Sequence, residues 1–346
     1  MLCFLLNCGK VAAIMSEVIA GYPPALANRG IDVGDLTERW KEYVSGRSLT
    51  DIREQIEGGV ENIDGNRVFI SRGDNKNALN LTYPEFSVAM LPRYVMAACF
   101  ARDYVRDTTG RDATVALIAN NTKGETYINP SAWDKTRTLF GSSQPMVEIG
   151  KRVRDRLGNP RDNITIGASL GAIAAMTDLA EQQGGAGVLI EAPNVLWRDP
   201  IRLLANTIGN GADGEELIRD MYAETNPELY KEIMEYKPGE DNQFMIGMLR
   251  NLHTLGPLCV GNAGSLVKQG LDRRNSVVQA YGNVDKVSPF KRNERLREKF
   301  KAYSNYAAVP SLQDKVKRGL AQHSMSGDAP FVAALTRVGY ELPRAA

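Results

Sequence analysis

Short apolar, β-prone runs alternate with helical stretches along most of this chain, and that alternation leaves few architectures open. Residues 36–44 and 49–56 read as short amphipathic helices, and 67–71 and 78–82 as strands separated by polar turn residues. A long helix is expected over 87–106, where Val88, Leu91, Val95, Ala98 and Val105 recur near helical spacing. The run ATVALIA at 113–119 is continuously β-prone, as in a strand buried on both faces of a parallel sheet. Helices at 146–157 and 172–182 then alternate with strands at 163–166 and 187–191. This order predicts an α/β fold: a mostly parallel central sheet with right-handed crossovers, flanked by helices. Residues 195–271 read as nearly all helix, with loops at 206–214 and 237–242. The sheet is expected to resume at 276–281 and close near 315–321, ahead of a last helix at 329–338. The implied division is a tail over 1–35, a core over 36–194, a helical cap inserted over 195–272, and the rest of the core over 273–346.

Composition excludes several classes. The 346 residues are 43% hydrophobic and 24% charged with a net charge of +1, which fits a globular domain and gives a nucleic acid no basic surface to bind. Cys3, Cys8, Cys99 and Cys259 lack C-x-x-C spacing, so neither a zinc site nor a disulfide framework is expected. No apolar run approaches the ~18–20 residues that cross a bilayer, and a cytoplasmic location is expected. Residues 1–14 are apolar but lack a basic stretch ahead of their leucines, so they read as a tail, with Met15 opening the folded protein.

The segment with most chemical content is Asn163-Ile164-Thr165-Ile166-Gly167-Ala168-Ser169-Leu170-Gly171-Ala172, a strand that enters G-x-S-x-G and leaves as a helix. Small residues on both sides of Ser169 permit a tight, strained turn that lifts its hydroxyl above the sheet. The backbone N–H of Leu170, at the helix start, can then donate to an oxyanion. A serine nucleophile needs a base, and the chain has two histidines. His253 falls in the helical insertion, whereas His323 falls between the last strand and the last helix. A carboxylate must orient that base. Asp285 ends the β-rich run 276–281 through a glycine turn; Glu191 and Asp199, after the strand that follows the Ser169 helix, are rivals.

In the order Ser169, Asp285, His323, and in the turn Gly282-Asn283-Val284-Asp285-Lys286-Val287-Ser288-Pro289, the chain resembles the α/β-hydrolase family over about residues 67–340. The resemblance implies a Ser-His-Asp esterase working through a covalent acyl-enzyme on a small-molecule acyl substrate, without a cofactor. It places the inserted helices as a lid after the sixth strand. The chain departs from the family after the third strand, where Leu81-Thr82-Tyr83-Pro84-Glu85-Phe86-Ser87 replaces the frequent glycine-rich stretch. Because Pro84 has no N–H, the resemblance leaves Glu85 or Phe86 as second oxyanion donor, with Asn120-Asn121 as an alternative.

Two other readings compete. The turn ITIGASLGA is also a degenerate dinucleotide fingerprint, with Glu191 ending the next strand, although Ser169 stands where the middle glycine would be. A hydrolase scaffold retained only for binding is the other. In the insertion, Met221, Met234, Met245, Met248, Leu249, Leu252 and Leu255 read first as core and second as an acyl pocket under the lid. Trp133 and Trp197 read as packing residues, and the alternating charges of 291–301 as a solvated helix face.

Overall fold

The structure, a computed structural model, describes residues 24–84, 91–118, 126–192, 222–223, 225–235, 263–282, 288, 290–311 and 328–343. Helices α1 (Pro24–Ala27), α2 (Val33–Ser45) and α3 (Leu49–Gly59) precede strands β1 (Val60–Ile63), β2 (Asn66–Ser71) and β3 (Asn75–Tyr83). Next come α4 (Leu91–Thr109), β4 (Ala113–Leu117), α5 (Ala132–Leu139), α6 (Gln144–Arg156), β5 (Asp162–Ala168), α7 (Leu170–Glu181) and β6 (Ala186–Ile190). After α8 (Pro227–Glu235) and α9 (Ala263–Asp272) the chain forms β7 (Ser276–Gly282), α10 (Phe290–Phe300), β8 (Tyr306–Ser311) and α11 (Ala329–Glu341).

These strands make one eight-stranded sheet in the order β1-β2-β4-β3-β5-β6-β7-β8. The β1–β2 and β2–β4 pairs are antiparallel, and every pair from β4 to β8 is parallel. Parallel strands buried on both faces need apolar side chains throughout, and β4, β6 and β7 are buried at every position. The expected mostly parallel α/β architecture is therefore what forms.

One face of the sheet is covered by α4 and α11, the other by α6, α7 and α9. On the first, Ile164, Ile166, Val188 and Val278 pack with Val95, Phe100 and Leu335. On the second, Leu79, Leu81, Leu189 and Val277 pack with Val153, Ile173 and Val267. The alternation of successive side chains between these two sets is the period-two geometry of a strand.

The closing strand is a correction. It lies at Tyr306–Ser311, ahead of the expected 315–321, which falls outside the described residues. Its run carries Pro310, which an edge strand tolerates and which masks the strand pattern. Strand β1 was not expected either; only Ile63 among its residues is fully buried, as suits the opposite edge. Of residues 1–35, those from 24 are described, and Leu26 and Ile31 are buried in the core. Of 195–272, the described parts are 222–223, 225–235 and 263–272: α8 packs on α3, and α9 lies against α7.

Candidate active site

The parallel strands β3 and β5–β8 end at the same sheet edge. Tyr83 pairs with Gly167, Ala168 with Ile190, Ile190 with Ala280, and Gly282 with Ser311. Ser169 stands at this edge, between β5 and α7, with φ 49° and ψ −118°. A non-glycine residue with positive φ costs about 1–3 kcal/mol and survives only where its surroundings enforce it. The Ser169 N–H donates to the Ile190 carbonyl at 2.9 Å, and its carbonyl accepts from the Ala172 N–H at 3.0 Å.

The two glycines of the motif explain how the turn fits. A Cβ on Gly167 would stand 2.5 Å from the Gly171 carbonyl oxygen and 2.6 Å from the Ala172 Cα. One on Gly171 would stand 2.0 Å from the Tyr83 carbonyl oxygen and 2.5 Å from that of Pro84. The first glycine lets α7 fold back on its own strand. The second lets the end of β3, as far as Pro84, press against the start of α7. Leu170 is the first residue of α7, and an N–H in the first turn of a helix has no intrahelical acceptor.

Buried charge braces this turn. Asp178 of α7 is fully buried and accepts a two-pronged hydrogen bond from Arg154 of α6, at 2.8 and 2.6 Å. Burial works against the Arg154 charge, but the hydrogen bond and charge of Asp178 outweigh it and raise its pKa. The Tyr83 and Thr165 hydroxyls approach the same carboxylate at 3.5 and 3.4 Å, and burial pushes the Tyr83 phenol far above its ordinary range. Strands β3 and β5 and helices α6 and α7 thus share one polar anchor. Sequence reasoning missed it, although an aspartate within the apolar run of α7 was its signal.

A second buried network joins β7, β8 and α10 to Ser288 and the end of β6. The Tyr306 hydroxyl donates to Gln279 Oε1 at 2.7 Å, Gln279 Nε2 donates to Asn293 Oδ1 at 2.9 Å, and Asn293 Nδ2 donates to Ser288 Oγ at 2.9 Å. The Ser288 hydroxyl in turn donates to the Ala192 carbonyl at 2.6 Å. Ser288 is thereby held beside the end of β6, while Gly282 at the end of β7 pairs with Ser311. Asp285, His323, Glu85 and Phe86 lie outside the described residues, as do His253, Asn120, Asn121 and Asp199. The methionines at 221, 245 and 248 lie outside the described residues, as does the side chain of Met234. Glu191 is described: it follows β6 with φ 53°, is fully buried, and its N–H donates to the Ala280 carbonyl at 2.8 Å.

The fold as a whole is similar to those of solved enzymes. The chain is similar to the thioesterase domain from the curacin biosynthetic pathway at 12% identity, covering 81% of this chain and 98% of that one with a TM-score of 0.50. The similarity to the enol-lactonase from Burkholderia xenovorans LB400 is at 10% identity, covering 81% and 99%, also with a TM-score of 0.50. The chain has the α/β-hydrolase fold. No protein-family model and no curated protein sequence matches it. Among the described residues of this hydrolase fold, no helix is long and apolar enough to cross a membrane. Cys99 is a buried free thiol, and burial raises its pKa to about 11; Cys3, Cys8 and Cys259 lie outside the described residues.

Proposed function

We propose that this protein is a serine hydrolase that cleaves an ester-type acyl substrate, with Ser169 as nucleophile, His323 as base and Asp285 as the carboxylate that orients it. The observation that carries the reading is the strained backbone of Ser169 between two glycines that clear the backbone around it. Chain reach is compatible with the place given to Asp285. Strands β5 and β7 are two spacings apart, about 9.6 Å, and the three residues from Gly282 to Asp285 span up to about 10 Å. The neighbours named above are, by name, a thioesterase and a lactonase, activities that also transfer acyl groups. Residues 195–272, which leave β6 at the Ser169 edge, supply the cap.

In the reaction, Ser169 Oγ attacks the acyl carbon while His323 takes its proton. The N–H of Leu170, with that of Glu85 or Phe86, holds the resulting oxyanion. Collapse expels the leaving group, which recovers the proton from His323, and water repeats the sequence to release the acid. The dinucleotide reading fits less well, because the Tyr83 and Pro84 carbonyl oxygens fill the space beside Gly171 and would repel a pyrophosphate.

The test is labelling with a fluorophosphonate together with hydrolysis of p-nitrophenyl esters. Ser169→Ala and His323→Ala are each expected to lower kcat on the order of 10⁵-fold or more, and Asp285→Asn about 10⁴-fold. Undiminished turnover by purified Ser169→Ala would refute the assignment. Full activity in Asp285→Asn with loss in Glu191→Gln would move the acid to β6.

A further inference from the structure

We infer that Ser288 is a positioning residue for the nucleophile: its hydroxyl, at the end of a buried chain of hydrogen bonds from β8, fixes the strained turn at Glu191 and, through it, the carbonyl that holds the Ser169 N–H. The inference rests on Ser169 being the nucleophile. Two residues at this sheet edge have left-handed backbones, Ser169 with φ 49° and Glu191 with φ 53°. They follow the neighbouring strands β5 and β6 and are joined by one hydrogen bond, from the Ser169 N–H to the carbonyl of Ile190, the residue before Glu191. A side chain larger than glycine keeps a positive φ only where its surroundings enforce it. At Glu191 they do so from both sides. Its own N–H donates to the Ala280 carbonyl at 2.8 Å, and the carbonyl of the next residue, Ala192, accepts from the Ser288 hydroxyl at 2.6 Å.

The chain behind that hydroxyl runs in one direction, because each amide in it is oriented by its neighbours. Gln279 Oε1 accepts from the Tyr306 hydroxyl, so Gln279 Nε2 faces Asn293 and donates to its Oδ1. That turns Asn293 Nδ2 toward Ser288, where it donates to the hydroxyl at 2.9 Å and to the backbone carbonyl at 3.2 Å. The Ser288 hydroxyl, accepting from Asn293, gives its own proton to Ala192. Gln279, Asn293 and Ser288 are fully buried, so a group removed from the chain leaves its neighbour's bond unmade instead of replaced by bulk water. Cohesion alone does not need this arrangement, since apolar side chains would pack β7 against α10 as well. Only a donor can grip the Ala192 carbonyl, and that carbonyl closes the turn whose first residue anchors Ser169.

The experiment measures the rate at which a fluorophosphonate labels Ser169, together with kcat/KM for p-nitrophenyl acetate. Ser288→Ala should lower both about tenfold, part of the roughly 10²-fold loss that follows a 1 Å misplacement. Ser288→Thr, which keeps the hydroxyl, should restore the wild-type rates. Equal losses in the two variants would make packing, not the hydroxyl, the cause and overturn the inference. Because Ser288 follows Asp285 by three residues, the measurement is repeated in Asp285→Asn. A further loss of the same size there supports action through the elbow. A loss that vanishes there makes Ser288 a support of the acid turn and overturns the inference. Urea melts check folding. If Ser288→Ala does not fold, Tyr306→Phe decides in its place: it removes the first donor of the chain and should slow labelling about two- to threefold, the rate equivalent of one weak hydrogen bond. Wild-type protein left unlabelled at Ser169 overturns the nucleophile and the positioning residue with it. A labelled Ser169 that the deciding variant does not slow overturns the positioning residue alone.

Discussion

On the face covered by α6, α7 and α9, a charged pair is buried and backbone presses on backbone; on the face covered by α4 and α11, side chains meet side chains. The first arrangement fixes Ser169. Arg154 and Asp178 join the helix that leaves the elbow to its neighbour, with Tyr83 and Thr165 against the same carboxylate, and Gly171 sits on the carbonyls of Tyr83 and Pro84. The second is looser: around Gly339 only side-chain ends meet, and a small gap stands beside Ala168. A strained serine needs neighbours that cannot yield.

The largest stability effect expected from this contrast is at Asp178. Asp178→Ala leaves the Arg154 guanidinium buried with its two strongest hydrogen bonds gone, and should cost about 3–5 kcal/mol. Urea melts measure it. Replacing both partners, as in Arg154→Leu with Asp178→Leu, should cost far less, because the apolar pair needs no desolvated charge to be matched. A double variant as unstable as the single would show that the carboxylate acts mainly through Tyr83 and Thr165.

Gly171→Ala comes next. Its Cβ would lie 2.0 Å from the Tyr83 carbonyl oxygen, and two backbones cannot yield as a side-chain tip does. We expect a loss of about 1–3 kcal/mol. Since Glu85 and Phe86 follow this contact, a shift of about 1 Å should also lower ester turnover on the order of 10²-fold. Loss of stability with unchanged kcat would separate the β3 end from oxyanion binding.

The same contrast sets what the sequence made legible. Runs such as ATVAL in β4 and ITIGA in β5 showed themselves because a parallel strand buried on both faces has no polar positions to disguise it. The edge strands were hidden for the opposite reason: β1 buries only Ile63 of its four residues, and β8 contains Pro310. At the site, the elbow was readable because its glycines answer local backbone contacts within one strand-turn-helix unit. Asp178 and Arg154 stand 24 residues apart on different helices, so the aspartate in the apolar run of α7 signals a buried charge without naming its partner. The same holds for Ser288 and Asn293, whose partners Ala192 and Gln279 come from strands and loops remote in the chain.

The smallest effect tests the compliant face. Gly339, inside α11, lies over the sheet, and a Cβ there would meet the Val188 Cγ2 at 3.2 Å and the Ile164 Cδ1 at 3.4 Å. Both are ends of side chains, so a few tenths of an ångström of movement relieve the contact. Against that small cost stands the helical advantage of alanine over glycine, up to about 1 kcal/mol. Gly339→Ala should therefore be neutral to stabilising by about 0.5 kcal/mol, read as a small upward shift of the urea midpoint. Ile164→Val removes the Cδ1 contact, so a double-mutant cycle should show the alanine better tolerated beside valine. If Gly339→Ala instead destabilises as much as Gly171→Ala, the α11 face is packed as rigidly as its opposite.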